Sequence, residues 1–480
     1  MRMIAMLVLA CVPASTIRAD FCLQPDSDIR IREEGDFDTA RGWLTALLER
    51  NLLRILGKER LSGTGTATEF VLRTEAAGWR QLPEASRQRM TQSDAYRIII
   101  ESQTTHRVTI IGKTPVATGY GVLAFLEEEL GMHWALPGEL GVCLPKHRSF
   151  SLDDKTVEKE PWVVARALSG LLLRDEQQDN LPVRSRSGVL QEQRGFFLAS
   201  DYFKSLRLHG QSVTHNMIHL FPVAESLEHR PEIFPKRADG TPFIPQPKRK
   251  GEGSSKNAYQ AWHPCYTDPA TVRRAIAPGR EQFDQGRLFF SLGVNDGKRF
   301  QCQCQRCRAV GWPNSYYQFV TEVAEALRPD YPAQMVGVLA YGDVGIPPRD
   351  LQLPPNVLVN IAGVRKSVWQ DKAPNMGTYE YIYGAGFVIP NLPLDVIQQN
   401  FRYYQRHRLK MYRAESYPLW AFDAPKVYII RKLLWDPDQD VRTLLRAFCD
   451  RTFGEAGSDL VRFYEHASSW RKSDARQGEW

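Results

Sequence analysis

The stretch at residues 288–297, LFFSLGVNDG, runs directly into Cys302, Cys304 and Cys307. Its apolar first half is typical of a buried strand, and its polar end places Asp296 on a loop. An α/β barrel uses this arrangement, because functional side chains follow the carboxyl ends of its parallel strands. A plain strand ending in a turn is the alternative, since Asn, Asp and Gly are common turn residues. Recurrence of the pattern downstream favours the barrel.

Eight apolar or β-rich segments follow one another from Trp162 onwards, each leading to a polar or aromatic end. They lie at residues 162–168, 213–220, 261–266, 287–294, 334–341, 357–364, 378–383 and 410–415. Helical stretches at 314–327 and 394–408 fall between them, and residues 236–260 form an insertion. Strands and helices that alternate over about 250 residues predict an α/β fold of the (β/α)8 TIM barrel type. The second and third segments have the weakest patterns.

The chain as a whole divides into four predicted regions. They are a signal peptide at 1–19, an N-terminal α/β domain at 20–150, the barrel at 160–425 and a C-terminal helical segment at 426–480. Within the small α/β domain, β-rich runs at 96–100 and 108–111 predict a hairpin, and residues 120–131 predict a helix that ends at a glycine. The polar residues 151–161 are the predicted linker.

Composition and charge exclude a nucleic-acid-binding protein. The 480 residues carry a net charge of +7, and their 43% hydrophobic content is that of an ordinary globular protein. The basic residues are dispersed, and the densest run, Lys248-Arg249-Lys250, lies in a Pro/Gly/Ser-rich segment typical of a solvated loop. Nothing resembles a nucleic-acid-binding module, so we expect no nucleic-acid partner.

The amino terminus is typical of an exported protein. Arg2 precedes an apolar stretch at 4–12, and Ile17-Arg18-Ala19 offers a cleavage site before Asp20. The apolar stretch is too short to span a bilayer, which favours a secretory signal. Lipid attachment at Cys11 is the alternative. No later segment approaches a membrane span, so we expect a periplasmic, extracellular or lipid-anchored protein.

Four cysteines are close enough in sequence or pattern to form one site. Cys302, Cys304 and Cys307 lie within six residues, a spacing that suits a tetrahedral metal ion with a fourth ligand from elsewhere. Cys265 is the best candidate for that ligand. A disulfide from Cys265 to one of the three is the alternative, and both interpretations stay open. In either case the cluster holds the loop that carries Asp296, so a zinc ion there would be structural.

Several short motifs resemble those of a known family. They are IGK at 111–113 with YGV at 120–122 and LGMHW at 130–134, the Asn295-Asp296-Gly297 turn with its Cys-x-Cys-x-x-Cys run, and Arg413-Ala414-Glu415 with KLLWDPDQD at 432–440. Over most of residues 95–460 the chain resembles a family of exported bacterial glycoside hydrolases. That family was long catalogued as a domain of unknown function and is linked to the endo-β-N-acetylglucosaminidases of glycoside hydrolase family 163.

More distantly, the chain is similar to α-glucuronidases and β-hexosaminidases. The resemblance implies a hexosaminidase-like α/β domain before the barrel and a glycan as the substrate. The β-hexosaminidases place an Asp-Glu pair after the fourth strand, where Asp orients the substrate acetamide and Glu is the acid. This chain has Asn295-Asp296 at that place, so the mechanism does not transfer residue by residue.

Three carboxylates stand at predicted strand ends and are the candidate catalytic residues: Asp296, Glu380 and Glu415. Glycosidic cleavage usually needs one carboxylic acid to protonate the leaving oxygen and a second group to stabilise or trap the anomeric carbon. Each carboxylate could instead be a solvated loop charge, but we expect at least two to face one cleft. With a 2-acetamido sugar, the substrate carbonyl can be the nucleophile, while Asn295 holds the acetamide. No cofactor is then required for catalysis.

Further residues are candidates for binding the sugar. Arg166 near the end of the first segment could bind hydroxyls or a carboxylate, and a structural salt bridge is the alternative. His215 follows the second segment, with a buried structural role as the alternative. Aromatic side chains are candidate platforms for sugar rings, with core packing as the alternative for each: Trp262, Tyr341, Trp369 and Tyr383.

The sequence therefore predicts a secreted glycoside hydrolase that acts on N-acetylglucosamine-containing glycans such as N-glycans. An α-glucuronidase-like exo-hydrolase is the first alternative, and it would need extra basic residues in the cleft for a uronate. A non-catalytic carbohydrate-binding protein on a decayed barrel is the second, and its pair of acids would be incomplete.

Overall fold

The computed structural model describes residues 21–37, 40–74, 93–102, 106–171, 201–208, 213–245, 262–296, 300–363, 366–384 and 386–473. The predicted signal peptide, Cys11 and the Lys248-Arg249-Lys250 run lie outside these residues. The chain divides into two compact units. The first comprises Met1–Arg89, Ala95–Met132 and Leu144–Glu158, and the second comprises Met90–Asp94, His133–Cys143 and Lys159–Trp480.

The strands of the described residues are, in chain order, β1 (Phe21–Leu23), β2 (Asp28–Gly35), β3 (Ala67–Thr74), β4 (Tyr96–Glu101), β5 (His106–Gly112), β6 (His133–Trp134), β7 (Val142–Cys143), β8 (Phe150–Leu152), β9 (Lys155–Lys159), β10 (Ala165–Ser169), β11 (Phe289–Ser291), β12 (Met335–Ala340), β13 (Val357–Ala362), β14 (Asn375–Tyr381) and β15 (Met411–Glu415).

The α-helices of the same residues are α1 (Trp43–Leu56), α2 (Pro115–Ala124), α3 (Asp201–Ser205), α4 (Met217–Leu220), α5 (Val223–His229), α6 (Pro269–Asp284), α7 (Gln305–Val310), α8 (Asn314–Leu327), α9 (Leu394–Arg406), α10 (Trp420–Leu433), α11 (Val441–Phe453) and α12 (Gly457–Ser473). Among them, none is both long and apolar enough to cross a bilayer.

The first unit contains a five-stranded sheet of order β2-β3-β5-β4-β9. The predicted hairpin is confirmed, because β4 and β5 pair antiparallel. The predicted helix at 120–131 begins earlier, since Thr114 caps the amino terminus of α2 and Pro115 occupies its first turn. The predicted linker at 151–161 contains the division between the two units, at Glu158 and Lys159. It is not free of regular structure, however, because β8 pairs with β1 and β9 is an edge strand. Its polar sequence, KTVEK, is typical of a sheet edge that must avoid further pairing.

The second unit is built around six parallel strands in the order β10-β15-β14-β13-β12-β11. β12 and β13 are almost wholly apolar and are buried along their length, as expected for a parallel sheet covered on both faces. Side chains from strands far apart in this order pack together, namely Ala165, Phe289, Leu358 and Met411. The sheet is therefore curled into a parallel half-barrel.

Val213 occupies the inside of this curl, where it packs against the same four side chains. Gly337 of β12 makes room for it, because a Cβ atom at that position would lie 2.1 Å from Val213 Cγ2. The backbone carbonyl of Val213 accepts a hydrogen bond of 3.1 Å from the Asn360 amide. The residues that begin the second predicted strand thus fill the interior of the half-barrel.

The second and third predicted strands are reduced to single bridges. His215 bridges Gly293 in parallel, and the chain then turns into α4. Side-chain groups replace a neighbouring strand here, since the Ser291 hydroxyl donates to the Thr214 carbonyl. Trp262 bridges Phe300, while Ala261 lies outside the described residues. Six of the eight predicted strands are present, and a closed eight-stranded barrel remains a prediction.

The C-terminal part of the chain is helical, as its sequence predicts. α10 is followed by α11 and α12, and both α11 and α12 lie in the predicted segment 426–480. Asp440 caps α11, because its carboxylate accepts the Thr443 N–H at 2.7 Å. This bond, together with one from the Thr443 hydroxyl at 2.9 Å, holds the pKa of the Asp440 carboxyl below its usual range. The cap fixes where the chain re-enters a helix after Leu433.

Candidate active site

The carboxyl ends of β14 and β15 place four functional side chains on the inner face of the half-barrel. In the parallel register, Tyr379 is opposite Arg413, and Tyr381 is opposite Glu415. Side chains alternate between the faces of a strand, so these four share the face of Met411, which lies in the interior cluster. The arrangement brings one carboxylate, one guanidinium and two phenols to one edge of the sheet.

Glu415 is held by two tyrosines. The Tyr379 hydroxyl donates to its Oε1, and the Tyr383 hydroxyl donates to its Oε2. Burial raises the pKa of both phenols above the ordinary value, so both remain hydrogen-bond donors at any pH of biological interest. The Arg413 guanidinium lies 5.1 Å from the centroid of the Tyr379 ring. The Glu415 carboxylate is thereby fixed in position at the mouth of the half-barrel.

Asp296 is presented by the turn that follows β11. Its neighbour Asn295 is fully buried; Asn295 Oδ1 accepts the Ile218 N–H at 3.0 Å, and Nδ2 donates to the Trp262 carbonyl at 3.0 Å. Asn295 therefore ties the turn to two other stretches of chain, those of Ile218 and Trp262. The Asp296 side chain itself is 49% exposed, so its carboxyl can meet a ligand.

His215 lies beside Asp296, with Nε2 at 3.9 Å from the carboxylate Oδ1. A carbonyl oxygen can only accept, so the short contact of His215 Nδ1 with the Val294 carbonyl assigns a hydrogen to Nδ1. That hydrogen bond directs Nε2 towards Asp296. The ring of Tyr341 meets the imidazole edge-on at 5.5 Å. Two of the predicted sugar-binding side chains, His215 and Tyr341, thus surround Asp296.

Tyr381 connects the Asp296 and Glu415 parts of the site. Burial, and after it the charges of Tyr341, Glu415 and Asp296, together raise the pKa of the Tyr381 phenol to about 12. Both carboxyl groups are therefore within electrostatic reach of one phenol. The structure brings Asp296 and Glu415 to a common edge, although they come from β11 and β15.

A row of tyrosines extends along this edge. Successive ring centroids of Tyr379, Tyr381, Tyr383 and Tyr417 are separated by 5.5, 5.8 and 5.6 Å. Of these, only Tyr383 is among the aromatic residues predicted from the sequence. The spacing of tyrosines at every second position from 379 to 383 is the signal that could have identified the row, since period two places side chains on one face of a strand.

Asp343 is a further carboxylate that sequence reasoning missed. It lies in the turn Gly342–Val344 directly after β12, and its side chain is 28% exposed. His263 Nε2 is 3.5 Å from Asp343 Oδ2, and the Gln301 amide donates to the same oxygen at 3.2 Å. The signal was available, because Tyr341-Gly342-Asp343 follows an apolar run as Asn295-Asp296 does.

Glu380 lies on the opposite face of β14 from this site. Its side chain is 5% exposed, forms an ion pair with Lys366 Nζ at 2.8 Å and accepts hydrogen bonds from the hydroxyls of Thr378 and Tyr404. Tyr404 belongs to α9, so Glu380 points between the sheet and that helix. The predicted catalytic role does not fit this position, because the carboxylate shares neither face nor partners with Glu415.

Two other predicted sugar-binding residues are buried in the protein. Arg166 is 0% exposed, where it pairs with Asp94 and donates to the Val163 carbonyl at 3.0 Å. Trp369 is also 0% exposed, and its indole N–H donates to the Gly345 carbonyl at 2.7 Å. These positions favour the structural salt bridge and the core packing that the sequence left as alternatives.

Asn295 and Trp262 also differ from their predicted roles. Both polar atoms of the Asn295 amide bond to backbone groups, so the amide does not face a substrate acetamide. Trp262 is 1% exposed and stacks on Phe234 with ring centroids 5.2 Å apart. Both residues stabilise the loops around Asp296, so their role is structural.

Residues 137–465 match the family described as Domain of unknown function (DUF4838). The chain belongs to this family. Among curated protein sequences, none matches this DUF4838 chain.

The DUF4838 chain is similar in fold to a glycoside hydrolase of known structure. A family GH115 4-O-methyl-α-glucuronidase, with specificity for decorated arabinogalactans, aligns over 94% of this chain with 16% identity and a TM-score of 0.58. The alignment covers 63% of the glucuronidase, so the chain spans less than two thirds of that enzyme. A family 89 glycoside hydrolase from Clostridium perfringens aligns over 89% of this chain and 52% of its own, with 10% identity and a TM-score of 0.48. At 16% identity, the first likeness shows a common mixed α/β fold.

Four cysteines converge next to the Asp296 loop of the DUF4838 chain. The Sγ atoms of Cys265, Cys302, Cys304 and Cys307 all lie within 4.8 Å of one another. Cys265 precedes α6, and the other three precede or begin α7. A single ion could therefore contact all four of these cysteines, which are the four predicted from the sequence.

Proposed function

We propose that this DUF4838 protein is an exported glycoside hydrolase that cleaves N-acetylglucosamine-containing glycans, as its sequence resemblance to family 163 implies. The observation that carries the proposal is the position of Asp296 and Glu415 at the carboxyl edge of one curled parallel sheet, Asp296 after β11 and Glu415 at the end of β15. Hydrolysis of a glycosidic bond typically uses two carboxyl groups with different tasks. The fold shared with a GH115 α-glucuronidase supports the same reaction class.

Glu415 is the carboxylate that faces the anomeric carbon in this proposal. Two phenol donors hold both of its oxygens, which fixes its orientation before the substrate arrives. A carboxylate in that place stabilises the positive charge of the transition state or attacks the anomeric carbon. With a 2-acetamido sugar, Glu415 instead accepts the acetamide N–H, and the acetamide carbonyl attacks.

Asp296 is the general acid in this proposal. Its half-exposed carboxyl group protonates the leaving glycosidic oxygen, and the bond from that oxygen to the anomeric carbon breaks. Water then attacks the anomeric carbon and returns a proton to the Asp296 carboxylate. His215 is a positioning residue, because its Nδ1–H bond to Val294 keeps Nε2 directed at Asp296. The tyrosine row offers apolar ring faces on which sugar rings stack.

The experiment that tests the proposal uses purified full-length protein on a panel of aryl glycosides and N-glycoproteins, read by mass spectrometry. We expect release from acetamido substrates. Both variants preserve shape: Asp296→Asn removes the transferred proton, and Glu415→Gln removes the negative charge, so turnover should fall by at least roughly a hundredfold in each. Asp395→Asn, which removes a carboxylate that pairs with Arg442 on the surface, is the matched control and should keep the wild-type rate.

Wild-type rates in both active-site variants would place the chemistry elsewhere. Glycan binding without release from any substrate in the panel would instead favour a carbohydrate-binding protein on a decayed barrel. Measuring both binding and release on the same glycans distinguishes a misplaced active site from a protein that only binds.

A second candidate, an α-glucuronidase-like exo-hydrolase, is favoured by Arg413. Its guanidinium lies on the inner face next to Tyr379, whose hydroxyl bonds to Glu415. A guanidinium is well suited to pair with the carboxylate of a uronate. Faster release from aryl uronides than from aryl N-acetylglucosaminides would support this candidate. Arg413→Gln should then raise KM for the uronide far more than kcat changes.

Export is part of the proposal and has its own test. Mass analysis of the mature amino terminus from the native host should find Asp20 as the first residue. A lipid-modified Cys11 would instead establish the lipid-anchored form. An intact Met1 in mature protein would contradict export through this signal.

A further inference from the structure

We propose that Cys265, Cys302, Cys304 and Cys307 bind one structural zinc ion. Cys265 Sγ lies 3.8 Å from Cys304 Sγ and 3.8 Å from Cys307 Sγ, and all four sulfurs are within 4.8 Å of one another. Four sulfurs that surround zinc tetrahedrally at about 2.3 Å are separated by roughly 3.8 Å. The sulfur separations therefore fit a single four-thiolate zinc ion.

A disulfide accounts for this arrangement less well. It would join two of the sulfurs at about 2 Å and give the other two no common partner. The structure has all four as free thiols, and Cys265 is equally distant from two of them. An ion at the centre of the four sulfurs explains both observations. The proposal does not depend on glycoside hydrolase activity.

Hydrogen-bond donors already point at the sulfurs. The Lys236 N–H donates to Cys302 Sγ at 3.3 Å, and the Cys307 N–H donates to Cys304 Sγ at 3.4 Å. The Thr267 hydroxyl lies 3.2 Å from Cys307 Sγ. Such outer partners orient metal ligands and offset the negative charge of four thiolates around a divalent ion. The polypeptide thus supplies the surroundings that a thiolate site requires.

The ion would join two stretches of chain, one with Cys265 and one with the other three cysteines, and hydrogen bonds link both to a third stretch at residues 233–236. The Cys265 N–H donates to the Ile233 carbonyl at 2.7 Å, and the Gln303 N–H donates to the Lys236 carbonyl at 2.7 Å. Close by in sequence, Trp262 bridges Phe300, and the Trp262 carbonyl accepts from the Asn295 amide. Few regular strands connect these stretches, so a metal crosslink supports the loop that presents Asp296.

Metal analysis of full-length protein, purified without chelators or added metal, should find one zinc per chain. Cys304→Ser is the sharpest variant, because Cys304 caps α7 and serine is a preferred capping residue. The helix cap is then retained while one thiolate is lost. Loss of a residue that only hydrogen-bonds to a metal ligand lowers affinity by up to about a hundredfold. Loss of a ligand itself should therefore lower the affinity for zinc by at least roughly that much. Cys143→Ser, which removes a half-buried cysteine outside the cluster, should keep the zinc.

A second measurement on the wild-type chain keeps the proposal open to refutation if Cys304→Ser does not fold. Cobalt in place of zinc should give the visible absorption of a tetrahedral thiolate complex, and the four thiols should resist alkylation until a competing chelator removes the metal. Zinc-free native protein, with a digest that contains a disulfide from Cys265 to Cys302, Cys304 or Cys307, would overturn the proposal. An unchanged zinc affinity in Cys304→Ser, measured by competition with a chelator, would also overturn it.

Discussion

Glu380 and Glu415 lie near the carboxyl ends of neighbouring strands, and each accepts hydrogen bonds from tyrosine, yet they face opposite sides of one sheet. Glu380 is paired with Lys366 and is closed off beneath α9. Glu415 is half-buried at the inner mouth, held by Tyr379 and Tyr383. The pairing register places Glu380 opposite Ala414, and Tyr381 opposite Glu415.

The difference teaches that a strand end alone does not make a carboxylate functional. Adjacent positions on a strand point to opposite faces, so a shift of one residue exchanges the interior of a barrel for its outer layer. On the outer face, the Glu380 carboxylate stabilises the packing of α9. On the inner face, the Glu415 carboxylate is available to a substrate.

The largest expected effect on stability comes from Glu380→Gln. The amide no longer neutralises Lys366, whose side chain is only 23% exposed, so the ammonium loses its charged partner. We expect a loss of about 3 kcal/mol in the free energy of unfolding, the lower end for a broken buried ion pair. Urea denaturation measures the change. Asp395→Asn breaks a pair whose side chains are 27% and 41% exposed, against 5% and 23% for Glu380 and Lys366, and should cost less than about 1 kcal/mol. Equal losses in the free energy of unfolding in the two variants would contradict the structural role assigned to Glu380.

A matched pair of tyrosine variants sharpens the comparison between the faces. Tyr383→Phe removes one of two donors to Glu415, and turnover on an authentic substrate should fall about tenfold, equivalent to ~1.4 kcal/mol for a hydrogen bond to a charged group. Tyr404→Phe removes a donor to Glu380 on the outer face, so it should lower stability and leave turnover unchanged. The comparison fails if Tyr404→Phe slows turnover as much as Tyr383→Phe does.

The smallest expected effect concerns Trp369, which the sequence made a candidate for sugar stacking. Trp369→Phe removes the indole bond to Gly345 and keeps most of the packing against Tyr317. Stability should fall by about 1 kcal/mol, the typical contribution of one hydrogen bond. KM for the glycan should stay unchanged. A clear rise in KM without loss of stability would return Trp369 to the binding site.

Six strands of the half-barrel could be predicted because their residues are locally suited to a buried parallel sheet. The VLVNIA run of β13 is one example. The second predicted strand has the same kind of apolar residues but forms only a single bridge, and its local sequence does not show this. Its backbone carbonyls accept hydrogen bonds from distant side chains: Thr214 from Ser291, 77 residues further along the chain, and Val213 from Asn360, 147 residues further. No local pattern reports such contacts.

The same limit applies to the site. Asp296 could be identified from the turn after an apolar run, whereas the bonding of Asn295 depends on Ile218 and Trp262, which are 77 and 33 residues away. Arg166 pairs with Asp94, 72 residues earlier in the chain. For Glu380, strand alternation separates it from Tyr379 and Tyr381, but only the packing of α9 shows which face is the outer one.

The most direct test of the account is the turnover of Glu415→Gln and Glu380→Gln, measured side by side on one released glycan at a temperature where both variants are folded. We expect Glu415→Gln to lose at least roughly a hundredfold in kcat while its urea midpoint stays near that of the wild type. Glu380→Gln should show the reverse, with a lowered midpoint and a nearly unchanged kcat. Loss of turnover in folded Glu380→Gln, together with wild-type turnover in Glu415→Gln, would contradict the assignment of the inner face as the active site.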